Sequence, residues 1–318
     1  MSIYDYLKEK STSEIAEMGY RLPDVDLEKG DVWVPGAYEG IILRSTRSVK
    51  LHTIINFRTA LAVKKQALKP SEKHMAKLTK KLMKYPAISL VDPVCSYCVA
   101  FKMIKNEEKK AALRELALDL AKNAVNREPV KMGIALLGMA GKEEDLPVLE
   151  VLGKHDEFTL YCAGSAARIL EGKKKNNFLM KLGDNTQGWG KISVLYELDY
   201  KHEDARLWAV KRGCRNTVGF SYVANVCAIK GNMADVLAKL SAGEIEEKEA
   251  EEILHGVCDI FTGLLNPGEN QDGIREYGEA KRAGEALRNI CQNMPELADK
   301  DERAQKIVES LKNSGIIV

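Results

Sequence analysis

The chain has 318 residues, 48 Lys and Arg against 46 Asp and Glu, 45% hydrophobic and 6% aromatic residues. This balance suits a folded chain and excludes collagen, mucin-like stalks and disordered tails. No window approaches 18 apolar residues, and Met1-Ser2-Ile3-Tyr4-Asp5-Tyr6-Leu7-Lys8-Glu9-Lys10 places charges where a signal peptide needs an apolar core, so a cytoplasmic protein without membrane contact is expected. Seven Cys, an odd number scattered from Cys95 to Cys291, read as reduced thiols rather than a disulfide framework.

Along the chain, Ser11-Thr12-Ser13-Glu14 has the spacing of a capping box, and residues 21–35, with Pro23, Gly30 and Pro35, read as one long loop. After residue 35 the periodicity is helical throughout: apolar residues recur at three and four, Ala, Leu, Lys and Glu dominate, and strand alternation is absent. Breaks are predicted at Lys69-Pro70-Ser71, Tyr85-Pro86, Asp92-Pro93, Glu128-Pro129, Gly141, Gly172, Gly231, Asn266-Pro267-Gly268 and Met294-Pro295. Asp92-Pro93 is read as a helix start, with Asp as N-cap and Pro in the first helical position. The chain thus divides into N-terminal helices and loop (1–35), a basic helical region (36–126), and repeats with C-terminal capping helices (127–318), with the basic region continuous with the repeats.

The repeats emerge when Asp145, Asn176, Asp204 and Asp235 are taken as turn residues, separated by 31, 28 and 31 positions. Six residues before them stand Met139, Leu170, Leu198 and Ile229; nine before stand Leu136, Ala167, Leu195 and Val226; three after stand Val148, Leu179, Leu207 and Ala238. A fifth copy fits Asn266, preceded by Ile260, Val257 and Ile253. Each unit is helix, short turn, helix, and such pairs bury both faces only by stacking on their neighbours. On these residues, from 129 to 266 and less completely to 313, the chain resembles the HEAT-like repeat family. The tetratricopeptide pattern at a 34-residue period is not found. The resemblance implies an all-α fold, an α-solenoid of stacked antiparallel helix pairs. Members of that family serve as scaffolds, carriers, enzyme subunits and, in one branch, alkylpurine DNA glycosylases.

Charge is uneven. From Arg44 to Lys84 twelve basic residues face one acid, Glu72, whereas Ser241–Glu302 holds 16 acids and 6 bases. Arg44, Arg47, Lys73, Lys77, Lys80 and Lys84 are candidate contacts to an anionic partner; the last four form one stripe on a helix, with Met75, Leu78 and Leu82 on another. The competing reading is a solvated Lys-rich face, because Phe57 and Tyr85 are the only aromatics there to stack on bases. Trp189, Arg206, Trp208 and Arg212 form a second candidate patch, in which Arg on Trp is a binding contact or a repeat edge.

Cys95-Ser96-Tyr97-Cys98 falls in the first turn of the helix expected to start at Asp92-Pro93, where the dipole would favour a thiolate, but core packing is the expectation. His52, His74, His155, His202 and His255 lie too far apart in sequence for a metal motif, so neither metal nor cofactor is expected. No catalytic residues emerge, and the glycosylase branch's residues cannot be placed one by one. A noncatalytic scaffold binding a protein or other macromolecule in a solenoid groove is expected. The alternative is nucleic-acid binding through the basic 44–84 region, extended to base excision if the glycosylase branch applies.

Overall fold

The computed structural model describes residues 1–18, 22–24, 33–44, 53–269 and 271–318, and every regular element among them is helical. Most of the loop expected at 21–35 lies outside the described residues. No helix among the described residues is long and apolar enough to cross a membrane. Contacts divide the chain into two compact units, Met1–Glu197 and Leu198–Val318.

The first unit contains α1 (Ile3–Lys8), α2 (Thr12–Met18), α3 (Ala37–Arg44), α4 (Thr53–Leu68), α5 (Glu72–Leu82), α6 (Ala87–Ala100), α7 (Glu107–Asn123), α8 (Arg127–Ala140), α9 (Leu146–Gly153), α10 (Asp156–Ile169), α11 (Gly172–Asp184) and α12 (Trp189–Glu197). Side chains set many of the helix starts. Ser11 Oγ accepts from the Glu14 amide and Glu14 Oε2 from the Ser11 amide, the predicted reciprocal box before α2. Asn106 caps α7 by accepting from the Lys109 amide at 3.0 Å. In packing, α4, α6, α8, α10 and α12 each lie against the next of that series, with α7 against α4 and α8, α9 against α10, and α11 against α10 and α12. Leu90, Leu113, Leu136, Phe158 and Leu195 are fully buried along this stack.

The second unit contains α13 (Glu203–Trp208), α14 (Ala224–Lys230), α15 (Met233–Ser241), α16 (Glu247–Leu265), α17 (Ala280–Asn293), α18 (Pro295–Ala298) and α19 (Arg303–Asn313). A π-helical turn, Ala209–Gly213, continues α13. Helix α16 is the centre: Ile253, Leu254, Val257, Ile260, Phe261 and Leu264 repeat at helical spacing and are fully buried. They pack against the π-helical turn, α14 and α19, while α17 joins α15 to α19. Arg303 pins α19 to α16 by donating to Asp259 at 2.7 Å, and it also donates to Asp301, just before its own helix, at 2.7 Å. Burial works against a charge on Asp301, but hydrogen bonds from Arg303 and His255 hold its carboxyl well below the usual range.

Two expectations need correction. Asp92-Pro93 does not begin a helix: Pro93 lies inside α6, which starts after Pro86. Its missing N–H deprives only the Ser89 carbonyl of a helical bond, and burial of Leu90, Val94 and Cys98 outweighs that loss. The turn residues and apolar positions also fall out of phase in places. Asn176 is buried within α11 rather than in a turn, and Ile229 is 52% exposed, with Cys227, Ala228, Leu237 and Leu240 taking the buried positions around it. At about 100° per residue, a slip of two positions carries a side chain from core to solvent. Leu136, Leu195, Val257 and Ile260 do occupy the core.

Candidate interaction surface

Helix α5 is built to show its lysines. Ser71 accepts from the His74 amide at 3.2 Å, Glu72 lies in the first turn, and Lys80 and Lys81 lie in the last, each charge matching its end of the helix dipole. Leu78 and Leu82 enter the core. Lys73, Lys77, Lys80 and Lys84 consequently stand together on the opposite, exposed side, and none forms an ion pair with a described residue. Beside this ridge runs an open groove of about 1040 Å³, lined by Gln66, Pro70, Met75, Thr79 and Met83, with Lys80, Lys84 and Asp119 along it.

Helix α4, which precedes it, is inverted relative to an ordinary surface helix. Its buried positions are Asn56, Thr59, Ala60, Val63, Gln66 and Ala67, whereas Ile54, Phe57, Leu61 and Leu68 face outward, Ile54 at 54% and Phe57 at 41% exposure. Two of the inward polar side chains are hydrogen-bonded to backbone: Thr59 Oγ1 donates to the Ile55 carbonyl at 2.9 Å, and Gln66 accepts from the Ser71 amide at 3.2 Å. Arg58 and Lys65 are exposed on the same helix. A run of large apolar side chains in solvent, flanked by cations, is the pattern of a recognition surface. Sequence reading missed it because Ile54, Phe57 and Leu61, spaced at three and four, look like a core stripe.

Tertiary packing also adds aromatics that the 44–84 segment lacks. Phe57 meets Tyr97 edge-on at 5.4 Å between ring centroids, Tyr97 stacks with Phe101 at 6.0 Å, and Lys64 Nζ lies 4.8 Å from the Phe101 ring centroid. Val99 on α6 is exposed as well. Arg44 ends α3, and Arg47 lies outside the described residues.

The second predicted patch has a different character. Trp189 starts α12 in the first unit and is buried, with Gly40 of α3 so close to its ring that any Cβ there would collide. The flanking glycines serve the same junction: Asp156 accepts from the Gly188 and Gly190 amides at 3.1 and 2.6 Å, and a Cβ at Gly190 would lie 2.5 Å from Thr159 Oγ1. Trp208 is buried in the second unit, Arg206 donates to the Tyr200 and Lys201 carbonyls, and Arg212 pairs with Glu252, as does Lys211 at 2.7 Å. The tryptophans are thus core residues of separate units, and the cations beside Trp208 already hold carboxylates or carbonyls.

Cys95 and Cys98 lie in the third and fourth turns of α6, away from the positive helix end, so the dipole argument fails. Burial pushes the Cys95 thiol up to about 11 and the Cys98 thiol up to about 12. Alkylating reagents should therefore label both slowly in the native protein and rapidly once it is denatured, with half-buried Cys291 reacting first. Fast native labelling of Cys95 or Cys98, read by mass spectrometry, contradicts this.

One further cluster carries chemistry-bearing groups. Glu39, Glu128 and Glu157 converge closely enough to hold a cation, and the Lys131 ammonium fills that role, at 2.5, 3.2 and 2.7 Å respectively. Burial opposes its charge, but the carboxylates of Glu157, Glu128 and Glu39 outweigh it and hold the Lys131 pKa above the ordinary value. Glu157 faces the same burial and is held below its ordinary value by Lys131 and Arg127; burial raises Glu39, and the neighbouring Glu157 and Glu128 charges add to that rise. Gly36 donates its amide to Glu157 at 3.1 Å, and Asp24 accepts from Arg127. With Lys131 at 2% exposure, this network is a structural knot joining α3, α8 and α10.

Comparison with family models, with curated proteins and with solved structures finds no match to this chain.

Proposed function

We propose that this protein is a noncatalytic interaction module, an α-solenoid of HEAT-like helix pairs whose α4–α5 surface binds an acidic, partly apolar segment of another protein. The inverted helix α4 carries the reading: large apolar side chains stand in water while small and polar ones are buried. The uncompensated lysine ridge of α5 supplies the sign of the partner. The successive packing of α4, α6, α8, α10 and α12 supports the solenoid.

A second reading, single-stranded nucleic acid, draws on Phe57, Tyr97 and Phe101 beside Lys64. The aliphatic share of the surface, Ile54, Leu61, Leu68 and Met83, favours the protein partner, since such residues gain little from phosphates or base faces. Base excision has no support from Trp189 and Trp208, both buried.

Fluorescence anisotropy with an acidic amphipathic peptide and with single-stranded and duplex oligonucleotides tests the choice. The peptide should bind at low salt and lose roughly tenfold or more in affinity on Phe57→Ala plus Leu61→Ala, a loss of at least about 1.4 kcal/mol, and also weaken on Lys77→Glu plus Lys80→Glu. Tighter binding of an oligonucleotide, with the steep salt dependence of phosphate contact, selects the second reading. Absence of peptide binding overturns the first.

A further inference from the structure

The second unit carries the electrostatic counterpart of the α5 ridge. Around the start of α16, Glu244, Glu246 and Glu247 are exposed, and none forms an ion pair with a described residue. They adjoin a groove of about 590 Å³ between α13, α15 and α16, whose apolar lining includes Leu207, Val236, Ile245 and Ile253. Further acids on the groove, Glu203, Asp235 and Glu249, are tied respectively to Lys239, Arg282 and Lys211. Only the outer acids remain uncompensated.

Several cations elsewhere stand against the chain's own carboxylates: Arg114 on Asp145, Lys174 on Glu143, Lys211 and Arg212 on Glu252. The α5 lysines and the Glu244, Glu246 and Glu247 carboxylates are opposite in sign, and each set borders an apolar groove. The lysine ridge spans eleven residues of helical path, about 16 Å at 1.5 Å per residue, which matches a local contact.

We infer that the acidic groove of one copy receives the lysine ridge of another, giving self-association through Lys73, Lys77, Lys80 and Lys84 on one side and Glu244, Glu246 and Glu247 on the other. This rests on reading the α4–α5 surface as a protein-binding face, and it names the partner as a second copy. Each copy offers one surface of each sign, so the contact is satisfied in a reciprocal two-fold pair, in a ring or in a short filament. Opposite ridges steer the encounter, and salt weakens it.

Sedimentation equilibrium tests it on the full chain, at roughly 0.02 M and roughly 0.5 M salt, on either side of the ~10 Å screening length at 0.1 M. The wild type should show an average mass above one chain at low salt and one chain at high salt. Lys77→Glu/Lys80→Glu/Lys84→Glu should be monomeric alone, as should Glu244→Lys/Glu246→Lys/Glu247→Lys, because each presents two surfaces of like sign. Mixing the two should restore association, since the native acidic groove of the first meets the native lysine ridge of the second. Circular dichroism confirms that each variant is folded; the wild-type salt dependence stands as a test even if one is not. A wild type that is monomeric at low salt, or variants that associate alone as well as the wild type does, overturns the inference. A monomeric wild type that still binds the acidic peptide leaves the protein-binding reading intact and removes only the self-partner.

Discussion

Replacing Lys131 by Met should destabilise the protein by roughly 3–5 kcal/mol, because it leaves buried carboxylates without the ammonium that neutralises them. Glu39 and Glu157 are themselves buried, and Arg127, the other cation on Glu157 among the described residues, is also engaged with Asp24. The lost favourable term is less the ion pairs than the avoidance of uncompensated charge. Adding Glu39→Gln and Glu157→Gln to Lys131→Met should therefore recover much of the loss, although each change alone removes a contact. Urea denaturation of the single, double and triple variants reads this coupling. A Lys131→Met protein within about 0.5 kcal/mol of wild type would mean that the knot does not hold α3, α8 and α10 together.

Leu136→Ala and Leu195→Ala should each cost roughly 2–5 kcal/mol, since both side chains are fully buried and truncation leaves a cavity that packed helices cannot close. Ile229→Ala, which the repeat alignment puts on the same footing, should fall within about 0.5 kcal/mol because Ile229 stands half in solvent. Lys142→Ala and Glu143→Ala should each stay within about 0.5 kcal/mol, since Ala keeps the Lys142 backbone amide that donates to Asp145 and the exposed Glu143–Lys174 pair is worth little. Comparable losses at Leu136, Leu195 and Ile229 in denaturant midpoint would restore the uniform repeat phase and contradict the packing of the second unit.

What the sequence determined by itself was the class of local structure. Helical periodicity, the capping box at Ser11, the breaks at Pro70, Pro86, Gly141 and Pro267, and the lysine stripe on one side of α5 depend on residues within one or two turns of each other, so they survive without tertiary knowledge. The tertiary structure decided everything that needs a partner distant in the chain. It turned α4 inside out, because spacing defines a stripe but not which stripe meets α6 and α7. It carried the helix through Pro93, since burial on α6 outweighs one missing hydrogen bond, and it made Lys131 a core residue by gathering Glu39 and Glu157 from 92 and 26 positions away. It also left the α5 lysines and the Glu244–Glu247 acids without counter-charges while neutralising Lys211 and Arg212, a distinction invisible to charge counting because composition records sign and number but not which opposite charges lie within reach.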